Sequence, residues 1–129
     1  MSNNNSAVRP ELVEGWVDVC SVGDLVADSG VCALIEETQV AIFYMPQDDE
    51  IFAINNYDPF GKVHVLSRGL IGDIKGEAMV SSPLYKQHFN LKTGVCFEDE
   101  TVSVDAYGIR IAGDRVEVNI HDITPKGAQ

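Results

Sequence analysis

The chain has 129 residues, 45% of them hydrophobic, and a formal net charge of −11 at pH 7. That length and apolar content suit one domain with a core of its own. The charge excludes nucleic acid, whose phosphates call for Lys and Arg, and an anionic membrane surface; no apolar run approaches the roughly 20 residues of a bilayer span.

The first residues, Met1-Ser2-Asn3-Asn4-Asn5-Ser6, lack the basic region and apolar stretch of a secretory signal. Residues 1–15 are expected to be a disordered polar arm, residues 16–120 the domain, and residues 121–129 a flexible tail. Trp16-Val17-Asp18-Val19-Cys20 alternates apolar and polar residues and predicts a strand. Ser21 is placed to cap one short turn over residues 21–25. Residues 31–35 and 40–45 are apolar runs rich in β-branched and aromatic side chains, with Glu36-Glu37 as the turn between them. Residues 46–50 form a second charged turn before a strand at 51–54.

Residues 55–76 are rich in Gly and turn formers and long for a plain connection, so they are functional or an inserted subdomain. Ala78-Met79-Val80-Ser81 predicts a strand leading to Ser82-Pro83. His88-Phe89-Asn90-Leu91 then leads to a turn at Lys92-Thr93-Gly94. Glu98-Asp99-Glu100 reads as a loop and Val102-Ser103-Val104-Asp105 as a strand. The clearest hairpin joins residues 107–112 to 115–120 through Gly113-Asp114. Helical periodicity and an internal repeat are both missing. The expected fold class is therefore all-β, with many short strands.

Cys20, Cys32 and Cys96 are widely spaced and form no C-x-x-C pair, so they read as reduced core thiols of a cytoplasmic protein, not as cluster or zinc ligands. Basic residues are concentrated in the middle of the chain. Between residues 58 and 94, Lys62, Arg68, Lys75, Lys86 and Lys92 outnumber Asp58, Asp73 and Glu77. A locally basic region on an acidic body biases how a partner docks.

In this middle region a family pattern emerges. Phe89-Asn90-Leu91-Lys92-Thr93-Gly94 resembles the F-D-x-x-T-G stretch that follows the second ligand loop of Rieske domains. Counting back puts Ser82 at the second cysteine and Tyr85 at the second histidine. Ala53-Ile54-Asn55-Asn56 resembles the strand end before the first loop, which puts Asp58 at the first cysteine and Phe60 at the first histidine. A Rieske centre needs two thiolates on one iron and two imidazoles on the other. Asp58, Phe60, Ser82 and Tyr85 cannot assemble it, so no metal or cofactor is expected on this chain.

A Rieske-like domain without its ligands is similar to the small subunit of assimilatory NAD(P)H-dependent nitrite reductase. Asn56-Tyr57-Asp58-Pro59-Phe60, Val65-Leu66-Ser67-Arg68-Gly69 and Ser82-Pro83-Leu84-Tyr85-Lys86-Gln87 carry that resemblance. It implies a Rieske-like antiparallel β-sandwich with an empty cluster-type subdomain at about residues 55–94. It also implies a cytoplasmic partner, the large catalytic subunit, which carries FAD, an iron–sulfur cluster and sirohaem and reduces nitrite to ammonium. This chain would then be an accessory subunit with no catalytic residue and no activity alone.

Tyr57, Phe60, Lys62, Leu84, Tyr85 and Lys86 are the expected partner interface, an apolar patch flanked by lysines. The same aromatics would also serve to fill the space that a cluster occupies. Two other classes stay open: a stand-alone electron carrier with an atypical metal site, for which His64, His88 and Asp58 are the conceivable ligands, and a generic protein-interaction module.

Overall fold

The computed structural model describes residues 15–124, and all of its regular structure is strands and short 3-10 turns. The expectation of a disordered arm over residues 1–14, and of a flexible tail over 125–129, lies outside the described residues. Strand β1 is Val17–Ser21, followed by the 3-10 turn Val22–Asp24. Ser21 does cap that turn: its N–H and its hydroxyl both donate to the Asp24 carboxylate at 3.0 Å. β2 is Ser29–Ile35, β3 is Thr38–Met45 and β4 is Glu50–Asn55. Glu36 and Glu37 form the β2–β3 turn with φ of 49° and 73°, left-handed values that match the twist of a tight hairpin.

The chain then builds a smaller unit. β5 (Tyr57–Asp58) pairs with β6 (Val63–His64), and a 3-10 turn follows at Leu66–Arg68. β7 (Leu70–Ile74), β8 (Glu77–Ser81) and β9 (His88–Asn90) make a three-stranded antiparallel sheet in the order β9-β8-β7. β10 (Ala106–Ala112) and β11 (Arg115–Thr124) return the chain to the first sheet, whose order is β1-β11-β10-β4-β3-β2. That sheet is nearly closed. Its edge strands β1 and β2 face each other across a groove lined by Val17, Val19, Val31 and Ala33.

β3 explains how the two units hold together. Val40, Ala41, Ile42 and Phe43 are all fully buried, so this strand is covered on both faces. Val40 and Ile42 join Ile35, Ala53, Tyr107 and Val118 in one core. Ala41, Phe43 and Met45 point the other way, into a core shared with Leu66, Val80, Phe89 and Leu91 of the smaller unit. A continuous apolar run is what burial on both faces demands. At Gly94, φ is +82°, and an added Cβ would run into the Val104 carbonyl. Glycine is therefore required where the smaller unit turns back toward the main sheet.

Three expectations are corrected. Residues 121–124 are not a loose tail: β11 continues to Thr124, with Ile123 opposite Tyr107 and packed on the second core. A bulge between Tyr107 and Gly108 lets the hairpin continue past Ile120. Residues 102–105 are not a ladder strand but a bridge between units. Val104 N–H bonds to the Gly94 carbonyl at 2.9 Å, while the Asp105 carbonyl accepts from Asn55 N–H at 2.8 Å. Cys32 is exposed rather than core, because β2 is an edge strand and alternation turns Cys32 and Leu34 outward.

Candidate functional site

The two loops marked by the sequence lie side by side and share one design. Asp58-Pro59-Phe60-Gly61-Lys62 and Ser82-Pro83-Leu84-Tyr85-Lys86 each begin with a buried hydrogen-bonding side chain followed by Pro. In the first, Asp58 Oδ1 accepts from the N–H of Phe60 at 2.8 Å and of Gly61 at 3.2 Å. In the second, Ser82 Oγ accepts from Leu84 N–H at 3.3 Å. These are the local turns that Asp and Ser favour, and Pro at the next position presets the backbone for them. Each loop closes with a Lys N–H bonded to the carbonyl four residues earlier: Lys62 to Asp58 at 2.6 Å and Lys86 to Ser82 at 3.2 Å. Both lysines have left-handed backbones, φ 59° and 67°. The two loops share this geometry although only Pro and Lys are common to their sequences.

The loops are also bonded to each other. Ser82 donates its hydroxyl proton to Asp58 Oδ2, and both residues are almost fully buried. Phe60 packs inward on the core, its ring centroid 6.1 Å from that of Phe89. A Cβ on Gly61 would lie 2.7 Å from Leu84 Cδ1, so glycine here lets the second loop rest on the first. Tyr85 points outward, with 62% of its surface exposed.

Of the expected interface residues, the structure brings Tyr57, Lys62, Leu84, Tyr85 and Lys86 to the surface and turns Phe60 inside. Val63 and His64 belong on this face too and were missed. Both are exposed on β6, and the His64 ring lies 5.1 Å from that of Tyr57. Alternation does not mark them, since both residues of this two-residue strand are exposed.

The donor set does not fit a two-iron cluster. Thiolates and imidazoles are needed, and neither stands at the four positions. Asp58 and Ser82 spend their oxygens on each other and on backbone N–H groups. Cys20 and Cys32 lie on the edge strands of the main sheet, and Cys96 is buried behind β9. Burial pushes all three thiols above the ordinary cysteine value, away from the thiolate form. His88 is committed elsewhere, its Nδ1 2.5 Å from Glu98 Oε2 and its N–H 2.8 Å from Glu98 Oε1. Among the described residues, three or more metal-ligating side chains never converge, so His64, His88 and Asp58 do not form the conceivable site.

The fold and the paired loops define a class: a Rieske-like domain in which an Asp–Ser hydrogen bond joins two neighbouring loops, with Phe60 turned inward and Tyr85 outward. The family model for the Rieske-like [2Fe-2S] domain matches residues 15–119. The chain is 48% identical over 103 residues to the nitrite reductase (NADH) small subunit of Escherichia coli K12, covering 80% of this chain and 95% of that one. The solution structure of the nitrite reductase [NAD(P)H] small subunit from Erwinia carotovora superposes with a TM-score of 0.71 at 39% identity, over 89% of this chain and 90% of that one. This chain belongs to the family of nitrite reductase small subunits. A stretch of the nitrite reductase [NAD(P)H] large subunit of Klebsiella oxytoca is also 34% identical over 103 residues, 80% of this chain but 11% of that protein.

Proposed function

We propose that this chain is the accessory subunit of a cytoplasmic NAD(P)H-dependent nitrite reductase, bound to a large catalytic subunit and without redox activity of its own. The observation that carries this reading is the buried Asp58–Ser82 hydrogen bond. It joins the two loops at the positions that the family resemblance matches to cluster ligands, which supports a fold kept without the electron-carrying chemistry. The Klebsiella relative supports the partner, since a similar stretch there lies within the large polypeptide itself. FAD, an iron–sulfur cluster and sirohaem are assigned to the large subunit, which passes electrons to nitrite and releases ammonium. This chain braces or orients that subunit and touches no substrate.

Reconstitution tests the reading. The purified large subunit should form a stable complex with this chain and oxidise reduced nicotinamide in a nitrite-dependent way. The isolated chain should show none of that activity. Failure of the two chains to associate, or turnover by this chain alone, would contradict it.

A further inference from the structure

We infer that the twin loop tips are the surface that grips the large subunit, at a patch that is apolar in the centre and acidic around it. This deepens the proposed function and rests on it. Large apolar side chains are exposed unevenly over the molecule. Of the eight among the described residues, Tyr57, Val63, Leu70, Leu84 and Tyr85 fall between residues 57 and 85, whereas Val26, Leu34 and Ile111 lie apart in the sequence. Leu84 and Tyr85 rest on Gly61 of the neighbouring loop. Leu70 and Arg68 border the same cleft as Pro83 and Lys86. Beside Tyr57, a pocket of about 310 Å³ opens between Pro59, His64, Ser103 and Asp105. Exposed aromatic and aliphatic anchors next to a pocket are what a protein interface concentrates at its centre.

Charge selects the partner. Lys62, Arg68 and Lys86 are exposed around this patch on a chain whose net charge is −11. Asp58 lies buried beneath the loop tips and does not reach their surface, and Asp105 is the acid at the edge of the pocket. The left-handed backbone does not by itself single out Lys62 and Lys86, since Glu36, Glu37 and Lys75 share it. What does is their equivalence: each ends its loop, and each N–H is tied to the loop's first carbonyl. Glycine would fit those positions with less strain, yet both carry a cation. The backbone that carries each lysine is pinned by that N–H bond, so little of the backbone is left to order on docking. The groove between β1 and β2 has no cation in its lining, and its Asp18 is already paired with Arg115 at 2.9 Å.

Titration onto the immobilised large subunit, purified with its own cofactors, tests the surface. The wild-type chain should bind, and more weakly as salt rises. Leu84→Asp with Lys86→Glu should weaken binding by about 100-fold or more, while Leu34→Asp on β2 should bind as the wild type does. Trp16 fluorescence reports whether each variant is folded. If the first variant is not folded, Lys62→Glu with Lys86→Glu decides, and should both weaken binding and flatten its salt dependence. Folded loop-tip variants that bind like the wild type, or loss of binding in Leu34→Asp instead, would overturn the surface alone. A wild-type chain that does not bind the large subunit would overturn the proposed function and the surface with it.

Discussion

Ser82 donates its hydroxyl proton to the buried carboxylate of Asp58, 24 residues earlier in the chain. One side chain thus does three things: through its other oxygen, Asp58 also accepts from Phe60 and Gly61 and shapes its own loop. In a Rieske domain the metal ties the two loops together. Here a buried side-chain hydrogen bond joins them.

Removing that carboxylate leaves a hydroxyl and two N–H groups without an acceptor in the interior. Asp58→Ala should therefore cost about 3 kcal/mol of stability, and Ser82→Ala about 1–2 kcal/mol. The double variant should lose less than the two effects added, with a coupling of about 1 kcal/mol. Urea unfolding of the four proteins checks this. Additive effects would show that the contact does not brace the loops.

Glu117 is a buried acid on β11, and its cation is Arg110, with Nε 2.7 Å from Oε1. The Arg110 guanidinium also lies 4.1 Å over the ring of Trp16, the one tryptophan in the chain. Arg110→Met strands the carboxylate. The loss should be about 2–3 kcal/mol, below the roughly 3–5 of a fully buried pair because Arg110 reaches solvent. Trp16 emission should shift as the cation leaves its face. An unchanged unfolding midpoint in urea would mean that Glu117 finds another partner.

Glu98 sets an acid dependence. Burial works to raise its pKa, but hydrogen bonds from the His88 backbone, the His88 ring and Cys96 outweigh it and hold the carboxyl below its ordinary value. A carboxyl lowered in the folded state adds stability above its unfolded pKa and loses it as pH falls through the folded one. Glu98→Gln should therefore be less stable than the wild type at pH 7, and the difference should shrink as the pH falls below the ordinary glutamate range. Unfolding midpoints across that range give the answer. A difference that persists in acid would assign the effect to geometry, not charge.

Much of this architecture is legible in the residue pattern, for physical reasons that differ by element. β3 announces itself because burial on two faces forces four apolar residues in a row, Val40 through Phe43. The β10–β11 hairpin is marked by alternation on both sides of Gly113-Asp114. β7 is hidden, since Gly69 precedes it and Gly72 interrupts it. Gly69 is required because an added Cβ would collide with the Ser81 carbonyl, whereas at Gly72 a Cβ would meet only the movable end of Met79. The continuation of β11 to Thr124 depends on a bulge, which no local pattern specifies. The loop positions follow from the Asp-Pro and Ser-Pro pairs. That Phe60 turns inward while Tyr85 turns outward depends on Phe89, 29 positions further on than Phe60, and so on tertiary packing.

The most direct test is iron quantification on the chain purified from cells competent to build iron–sulfur clusters, with electron paramagnetic resonance after reduction. A colourless protein without stoichiometric iron and without a Rieske signal is the expected result. Two irons per chain with the signal of a histidine- and thiolate-bound cluster would contradict the claim that Asp58 and Ser82 have replaced electron transfer with a structural bond.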